Sequence, residues 1–362
     1  MNIKFSFLVL MCMFFLNACM STDDNVIIDT GIKATLPETI DAYLNTNLSS
    51  DEPGISILVR KNGELIYKNA KGLANKSNRT PISHETGFRL ASISKPFVAL
   101  VIMQFYEQKS LLLDDSILSF LPELPQAWQE ITIHQLLTHR SGIPDFLNDL
   151  HLEKTINDIN NKDVLDYFVG NSELEFTPDS QSKYSNSGYL LLAEIIERIS
   201  GQRFEDYMIN NFFIQNGMLN SYIADEFSFP NSTDALNYAE NFQLWGMNIY
   251  TNGSDGQISS IDDMDIFVQS LLSNSIVSAE TLNLMRTVYS NLEQGDYGYG
   301  FFRGARFEDS FTAGGSMDSF NSILIIEPAI KLEYIGLSNG GELTGNHLNN
   351  IYALINRFYR NN

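Results

Sequence analysis

Ser92-Ile93-Ser94-Lys95, followed directly by Pro96 and the apolar run Phe97-Val98-Ala99-Leu100-Val101-Ile102-Met103, decides how this chain is read. Residues three apart on a helix face the same way, so the spacing stacks a hydroxyl and an amine. A serine hydroxyl needs a neighbouring base to act as a nucleophile, and a lysine serves when its surroundings keep it partly neutral. Pro96 suits a first helical turn, where its missing N–H costs nothing, and this puts Ser92 near the positive end of the helix. Phe97, Val101 and Met103 supply a buried face. The spacing alone is weak, because a chain of 362 residues holds about one or two such pairs by chance. Ser180-Gln181-Ser182-Lys183 is one, in a polar run with no apolar helix attached.

At the N-terminus, Lys4 precedes the apolar run Phe5 to Leu16, too short to span a bilayer as a helix. Leu16-Asn17-Ala18-Cys19 is similar to the lipobox of bacterial lipoproteins. The expectation is a signal peptide over 1–18, lipidation at Cys19, a tether over 19–35 and one catalytic domain over 36–362. Such a chain would be lipid-anchored in the bacterial cell envelope, on its periplasmic face or at the cell surface. Cys12 and Cys19 are the two cysteines, so the domain after the leader has no disulfide, thiol nucleophile or thiolate metal site.

A formal net charge of -21 argues against nucleic acid and against adhesion to anionic lipid faces. Membrane contact is expected through the anchor alone. His84, His134, His139, His151 and His347 are scattered, with no His-Glu-x-x-His helix, and no metal is expected. The chain has no Gly-x-Ser-x-Gly elbow, which disfavours an α/β-hydrolase triad, and no Walker loop or dinucleotide fingerprint, so no cofactor is expected either.

Ile55 to Val59 and Glu64 to Asn69 flank Arg60-Lys61-Asn62-Gly63, a hairpin signal. From about 100 to 290 the pattern is mostly helical, most clearly from Ser187 through Ile199 with Gly201 as a stop. Strand patterns return at Asn321 to Ile326 and Lys331 to Leu337, and Asn346 to Tyr359 reads as a terminal helix. Tyr297-Gly298-Tyr299-Gly300-Phe301-Phe302 reads as a core strand that tolerates glycine. The predicted class is α+β: an antiparallel sheet from N- and C-terminal segments, flanked by helices, with an inserted helical lobe and a cleft between the two.

Three further segments complete the pattern: Tyr184-Ser185-Asn186 after Phe176-Thr177-Pro178, the string Ile131 to Pro144 containing Leu136-Leu137-Thr138-His139-Arg140-Ser141-Gly142, and Gly314-Gly315-Ser316 before the late strands. With Ser92 and Lys95, in this order, the chain resembles the β-lactamase-related serine hydrolases. That group includes class C β-lactamases, D-alanyl-D-alanine carboxypeptidases (penicillin-binding proteins), D-aminopeptidases and esterases. The resemblance runs from about Thr35 to the C-terminus and implies the β-lactamase/transpeptidase-like fold. It implies Ser92 as the nucleophile of an acyl-enzyme, Lys95 as its activator and Tyr184 as proton relay. It further implies Gly315 and Ser316 as substrate-binding positions and Asn186 as either holding the substrate's acyl side chain or orienting Lys95, with the N–H groups of Ser92 and Ser316 as the oxyanion hole. Lys95 either loses its proton through burial or stays charged and lowers the pKa of Tyr184. Tyr43-Leu44-Asn45 and Tyr289-Ser290-Asn291 repeat Tyr-x-Asn without the Phe-x-Pro lead-in and read as structural.

One motif departs. Relatives carry Lys-Thr-Gly or His-x-Gly on the cleft strand, where this chain has Ala313-Gly314-Gly315. Backbone N–H groups survive that change, but the resemblance implies the loss of a cation that helps bind a substrate carboxylate and completes the proton network. The expected substrates are therefore small-molecule or peptide esters and amides, some of them cell-wall-peptide-like, with weak action on β-lactams. The competing reading is a catalytically inactive relative serving as an envelope binding protein. Asp179 replaces a glycine common in the family, read as a minor change. Oligomeric state is left open.

Overall fold

The structure is a computed structural model that describes residues 34–149, 159–225, 230–238, 249–304, 306–307, 309–317 and 319–360. The leader, Cys19, nearly all of the tether and His151 lie outside the described residues. Thr35, at the end of the expected tether, caps the first helix α1 (Leu36–Asn47) in a reciprocal box with Glu38.

Eight antiparallel strands form the main sheet. In chain order they are β1 (Ile55–Lys61), β2 (Glu64–Lys71), β3 (Ser290–Leu292), β4 (Gly295–Tyr297), β5 (Phe302–Arg303), β6 (Phe311–Met317), β7 (Phe320–Glu327) and β8 (Leu332–Ser338). Their spatial order is β3-β4-β5-β6-β7-β8-β1-β2, so the first and last parts of the chain share one sheet. Asn62 and Gly63, both at positive φ, turn β1 into β2, and Lys61 pairs with Glu64 as the Asn-Gly signal required.

Side chains alternate across a strand with a period of two, and two cores result. Ile55, Ile57, Val59, Ile325, Leu332 and Tyr334 face α1 and the terminal helix α5 (Gly341–Arg360). Leu58, Leu324, Ile326, Ile335 and Leu337 face the helical lobe. Helix α5 offers Leu348, Ile351, Tyr352 and Ile355, one helical face, to the sheet. It starts five residues before the sequence suggested, because Thr344 and Gly345 are already buried against β7 and its neighbours.

Three helices matter most for the lobe: α2 (Ser94–Glu107), α3 (Asn186–Ser200) and α4 (Ile261–Leu272). Phe97 of α2 stacks on Phe267 of α4 at 4.0 Å, and α3 ends at left-handed Gly201. The run Tyr297 to Phe302 corrects the sequence reading. It is a turn joining β4 to β5, with Tyr297 paired to Phe302 and Gly300 at φ 83°. A Cβ on Gly300 would lie 2.9 Å from Pro96 Cα, so this turn packs directly on the first turn of α2.

Gly315 brings the sheet into close approach with the lobe. A Cβ there would stand 2.1 Å from the Leu90 carbonyl oxygen and 2.9 Å from Ser92 N, both backbone atoms. At the adjacent Gly314 the nearest atom would be the Ser322 carbonyl oxygen, 3.8 Å away, an ordinary contact. Gly315→Ala should therefore lower stability by about 1–3 kcal/mol, the scale of overpacking, while Gly314→Ala should be neutral or slightly stabilising. Urea unfolding of both variants checks this, and equal midpoints would contradict the proposed difference in packing.

Candidate active site

Ser92 lies in a short 3-10 turn, Ala91–Ile93, that runs straight into α2. Ala91 is left-handed, φ 50°, a strain of about 1–2 kcal/mol for an alanine. Three hydrogen bonds hold the chain there. Ser322 Oγ donates to the Leu90 carbonyl at 2.6 Å, Leu90 N to the Gln257 carbonyl at 2.8 Å, and Gln257 N to Ser94 Oγ at 3.2 Å. The serine between Ser92 and Lys95 thus clamps the turn to the strand Gln257–Ser259.

Lys95 is buried, with its Nζ 3.1 Å from Ser92 Oγ. It donates to Asn186 Oδ1 and to the Ser254 carbonyl, each at 2.9 Å. Burial drives its pKa from the ordinary lysine value of 10.5 down to about 7, against the opposing attraction of Asp145 and Asp255. Tyr184 Oη donates to Ser92 Oγ at 3.0 Å, and its ring lies 4.8 Å from Lys95 Nζ. Burial raises the Tyr184 hydroxyl far above its ordinary value, more than its bond to Ser92 lowers it, so the phenol keeps its proton at neutral pH.

Ser316 is exposed on β6, opposite Asn321 of β7. Met317 and Phe320 close the hairpin. Hydrogen-bonded and non-bonded pairs alternate outward from such a closing pair, which turns the Ser316 N–H away from β7. On that side β5 pairs with Phe311 and Thr312, and among the described residues no strand pairs with the edge from Ala313 to Met317. The Gly315 approach brings this edge against Ser92 N. Ser92, Lys95, Tyr184, Asn186, Gly315 and Ser316, spread over more than two hundred residues of sequence, therefore share one place. Cys19 is outside the described residues.

The structure adds residues that the sequence reading missed. Asp145 Oδ2 accepts from Asn186 N at 3.1 Å and from Asn186 Nδ2 at 2.9 Å. Arg89 and Asp255 form a buried ion pair, with Arg89 Nη2 at 2.6 Å from Asp255 Oδ2. His139, left-handed at φ 58°, lies with its ring 4.5 Å from that of Tyr184 and accepts at Nδ1 from Ser185 N. Burial and the nearby Lys95 hold its pKa well below the ordinary histidine value, so it is neutral. Asp145 follows directly on the string Ile131 to Pro144, but no sequence periodicity ties it to a residue 41 positions later.

The remaining motifs take structural places. Ser180 Oγ donates to the Thr177 carbonyl and Lys183 pairs with Glu175, outside any helix. Tyr43 bonds His347 Nδ1, Tyr289 stacks on Tyr299, and His134 Nδ1 is 2.7 Å from Tyr299 Oη. Asp179 adopts φ 65°, a glycine-like conformation, and its carboxylate is held by Arg140 at 2.8 Å and Gln135 at 2.7 Å.

Comparison with known proteins bears on the family and the fold. The chain is 30% identical over 267 residues to penicillin-binding protein 4* of Bacillus subtilis (strain 168), covering 68% of this chain and 58% of that protein. It thus spans less than two thirds of that relative's length. An octameric penicillin-binding protein homologue from Pyrococcus abyssi superposes with a TM-score of 0.75 at 26% identity, over 87% of this chain and 76% of the other. The D-amino acid amidase of Ochrobactrum anthropi SV3, complexed with L-phenylalanine amide, shares the fold at a TM-score of 0.75 and 22% identity, over 90% of this chain and 99% of the other. The beta-lactamase family model matches residues 37–356, and with Ser92 and Tyr184, both partly exposed, gathered on buried Lys95, this chain belongs to the beta-lactamase family.

Proposed function

We propose that the chain is a serine hydrolase that opens esters or amides through an acyl-enzyme on Ser92. The observation that carries this reading is the bonding around Lys95. Asn186 Oδ1 and the Ser254 carbonyl are pure acceptors and take two N–H groups of the amine. A neutral amine then has its lone pair left for the hydroxyl proton of Ser92, 3.1 Å away. Tyr184, still protonated, donates to the same Ser92 oxygen. Those roles make Lys95 the acylation base and Tyr184 a donor.

In the first step Ser92 Oγ bonds to the substrate carbonyl carbon while its proton passes to Lys95 Nζ. The carbonyl oxygen becomes an oxyanion between the N–H groups of Ser92 and Ser316. Collapse breaks the bond to the leaving alcohol or amine, which takes a proton from the Tyr184 hydroxyl, itself resupplied from Lys95. Water then attacks the acyl-enzyme by the reverse relay, releasing the acid and restoring Ser92.

Below about pH 7 Lys95 keeps its proton and has no lone pair to offer; above it the amine is free. Full-length protein exposed to a small fluorophosphonate should gain the mass of one adduct, and Ser92→Ala none. The labelling rate should rise through an inflection near pH 7 that vanishes in Lys95→Ala. A folded parent that takes no label would favour the inactive binding protein, the reading that Ala313 in the third motif supports.

Substrate preference follows from Ala313. The strand Phe311–Met317 carries no cation, and the Ala313 side chain is buried. A substrate carboxylate would meet no charged partner from this strand, a loss of about 1.5–3 kcal/mol when a charge-assisted hydrogen bond is missing. An acyl-D-alanyl depsipeptide should therefore be hydrolysed about tenfold faster as its methyl-capped form than as the free acid. Faster turnover of the free acid, or β-lactam hydrolysis at the rates of dedicated resistance enzymes, would overturn this preference.

Attachment to the bacterial cell envelope through Cys19 belongs to the same proposal and is supported by Leu16-Asn17-Ala18-Cys19. In a bacterial host the parent should sediment with membranes and Cys19→Ser should not. A variant that stays in the pellet would rule the anchor out.

A further inference from the structure

Lys95 is surrounded by charge from several elements. Tyr184 and Tyr189 bring their rings to 4.8 and 5.8 Å, and neutral His139 packs behind Tyr184. Asp255 is engaged by Arg89 through two bonds, at 3.2 and 2.6 Å, so its charge is already answered by a cation. Asp145 differs. Among the described residues no ion pair is formed by its carboxylate. It is satisfied by three N–H donors: Asn186 N at 3.1 Å, Asn186 Nδ2 at 2.9 Å and Leu147 N at 3.0 Å. Three donors on one carboxyl group match an ionised carboxylate, which only accepts. Burial pushes its pKa up, while those donors and Lys95 pull it back.

The Asn186 amide stands between the two groups. Its Nδ2 end is taken by Asp145 and its Oδ1 end meets Lys95 Nζ at 2.9 Å. With Asp145 fixed, the opposite amide flip would set an NH₂ against the amine and an oxygen against the carboxylate.

We propose that Asp145 is a positioning residue for Lys95, acting through Asn186. It dictates which end of the Asn186 amide meets the amine, and it supplies a buried negative charge that, among the described residues, is in no ion pair. The consequence concerns the proton on Lys95. A carboxylate across one amide favours the ammonium form and offsets part of the desolvation that favours the free amine. Asp145 thereby keeps the Lys95 pKa close to neutrality, where a base both holds and releases a proton readily. Asp145 matters to catalysis in this way only if Lys95 is the proton acceptor proposed above, and direct titration of Lys95 separates the two questions.

The full chain labelled with ¹³C at lysine Cε gives that titration by NMR, with the Lys95 signal assigned by its loss in Lys95→Arg. The parent should titrate near 7. Asp145→Asn keeps an oxygen for Asn186 but removes the charge, and its inflection should fall by roughly one unit. Asp145→Glu, which restores the charge, should return it toward the parent value. An Asp145→Asn protein that titrates like the parent overturns the assignment. Where Asp145→Asn does not fold, Asn186→Ala takes its place, and an unchanged Lys95 inflection there overturns it equally. If the parent resists the fluorophosphonate yet Lys95 shifts as expected, the hydrolase reading fails while the role of Asp145 stands.

Discussion

The contact between Gly315 and the Leu90–Ser92 backbone is the constraint on which the site depends. A sheet and a helical lobe normally meet through side chains, which hold their backbones some 10 Å apart. Here a missing Cβ lets β6 touch the turn itself, close enough that any side chain would strike the Leu90 carbonyl and Ser92 N. That approach sets the backbone of one module beside Ser92, the proposed nucleophile, on the other. Ser322, the register partner of Gly315, ties the same Leu90 carbonyl from β7. The strain at Ala91 persists because both sides of the turn are held.

Burial of Lys95 is the second requirement, and it conflicts with keeping a charge. A lone ammonium inside the lobe would be costly, and the protein answers with acceptors more than with a counter-ion in contact. Asn186 Oδ1, the Ser254 carbonyl and Ser92 Oγ surround the nitrogen, while the carboxylates of Asp145 and Asp255 act from beyond them. An amine held this way gains and loses its proton with little rearrangement, since neither of its pure acceptors has to move.

Much of this arrangement is legible in the sequence. The Asn62-Gly63 hairpin, the helix closed by Gly201 and the two late strands follow from local periodicity and turn chemistry. Ser92, Lys95, Tyr184 and Asn186 are found through motif order. What periodicity does not carry is an approach between distant backbones, or a partner chosen by burial. Tyr297 to Phe302 has the aromatic content of a strand, yet Gly298 and Gly300 sit where Cβ atoms would meet the Met285 carbonyl and Pro96, so the run bends. Asp145 looks like the solvated end of a loop motif; only the fold shows it spanning both the backbone and the side chain of Asn186.

The Ala313 substitution separates two functions that the third motif combines in relatives. One is positional: a strand whose edge presents N–H groups, with glycine at the close contact. The other is electrostatic: a cation beside the nucleophile. This chain keeps the first intact through Gly315 and Ser316 and gives up the second. Lys95 and Tyr184 both reach Ser92 Oγ without help from β6, so the proposed proton relay runs through contacts that the missing cation does not make. Under the proposed hydrolysis the missing charge bears on recognition, at the end of a substrate that carries a carboxylate and away from the bond to be broken. Machinery and selectivity can therefore diverge in this fold through a single side chain on the cleft strand, with the backbone that carries the chemistry left in place.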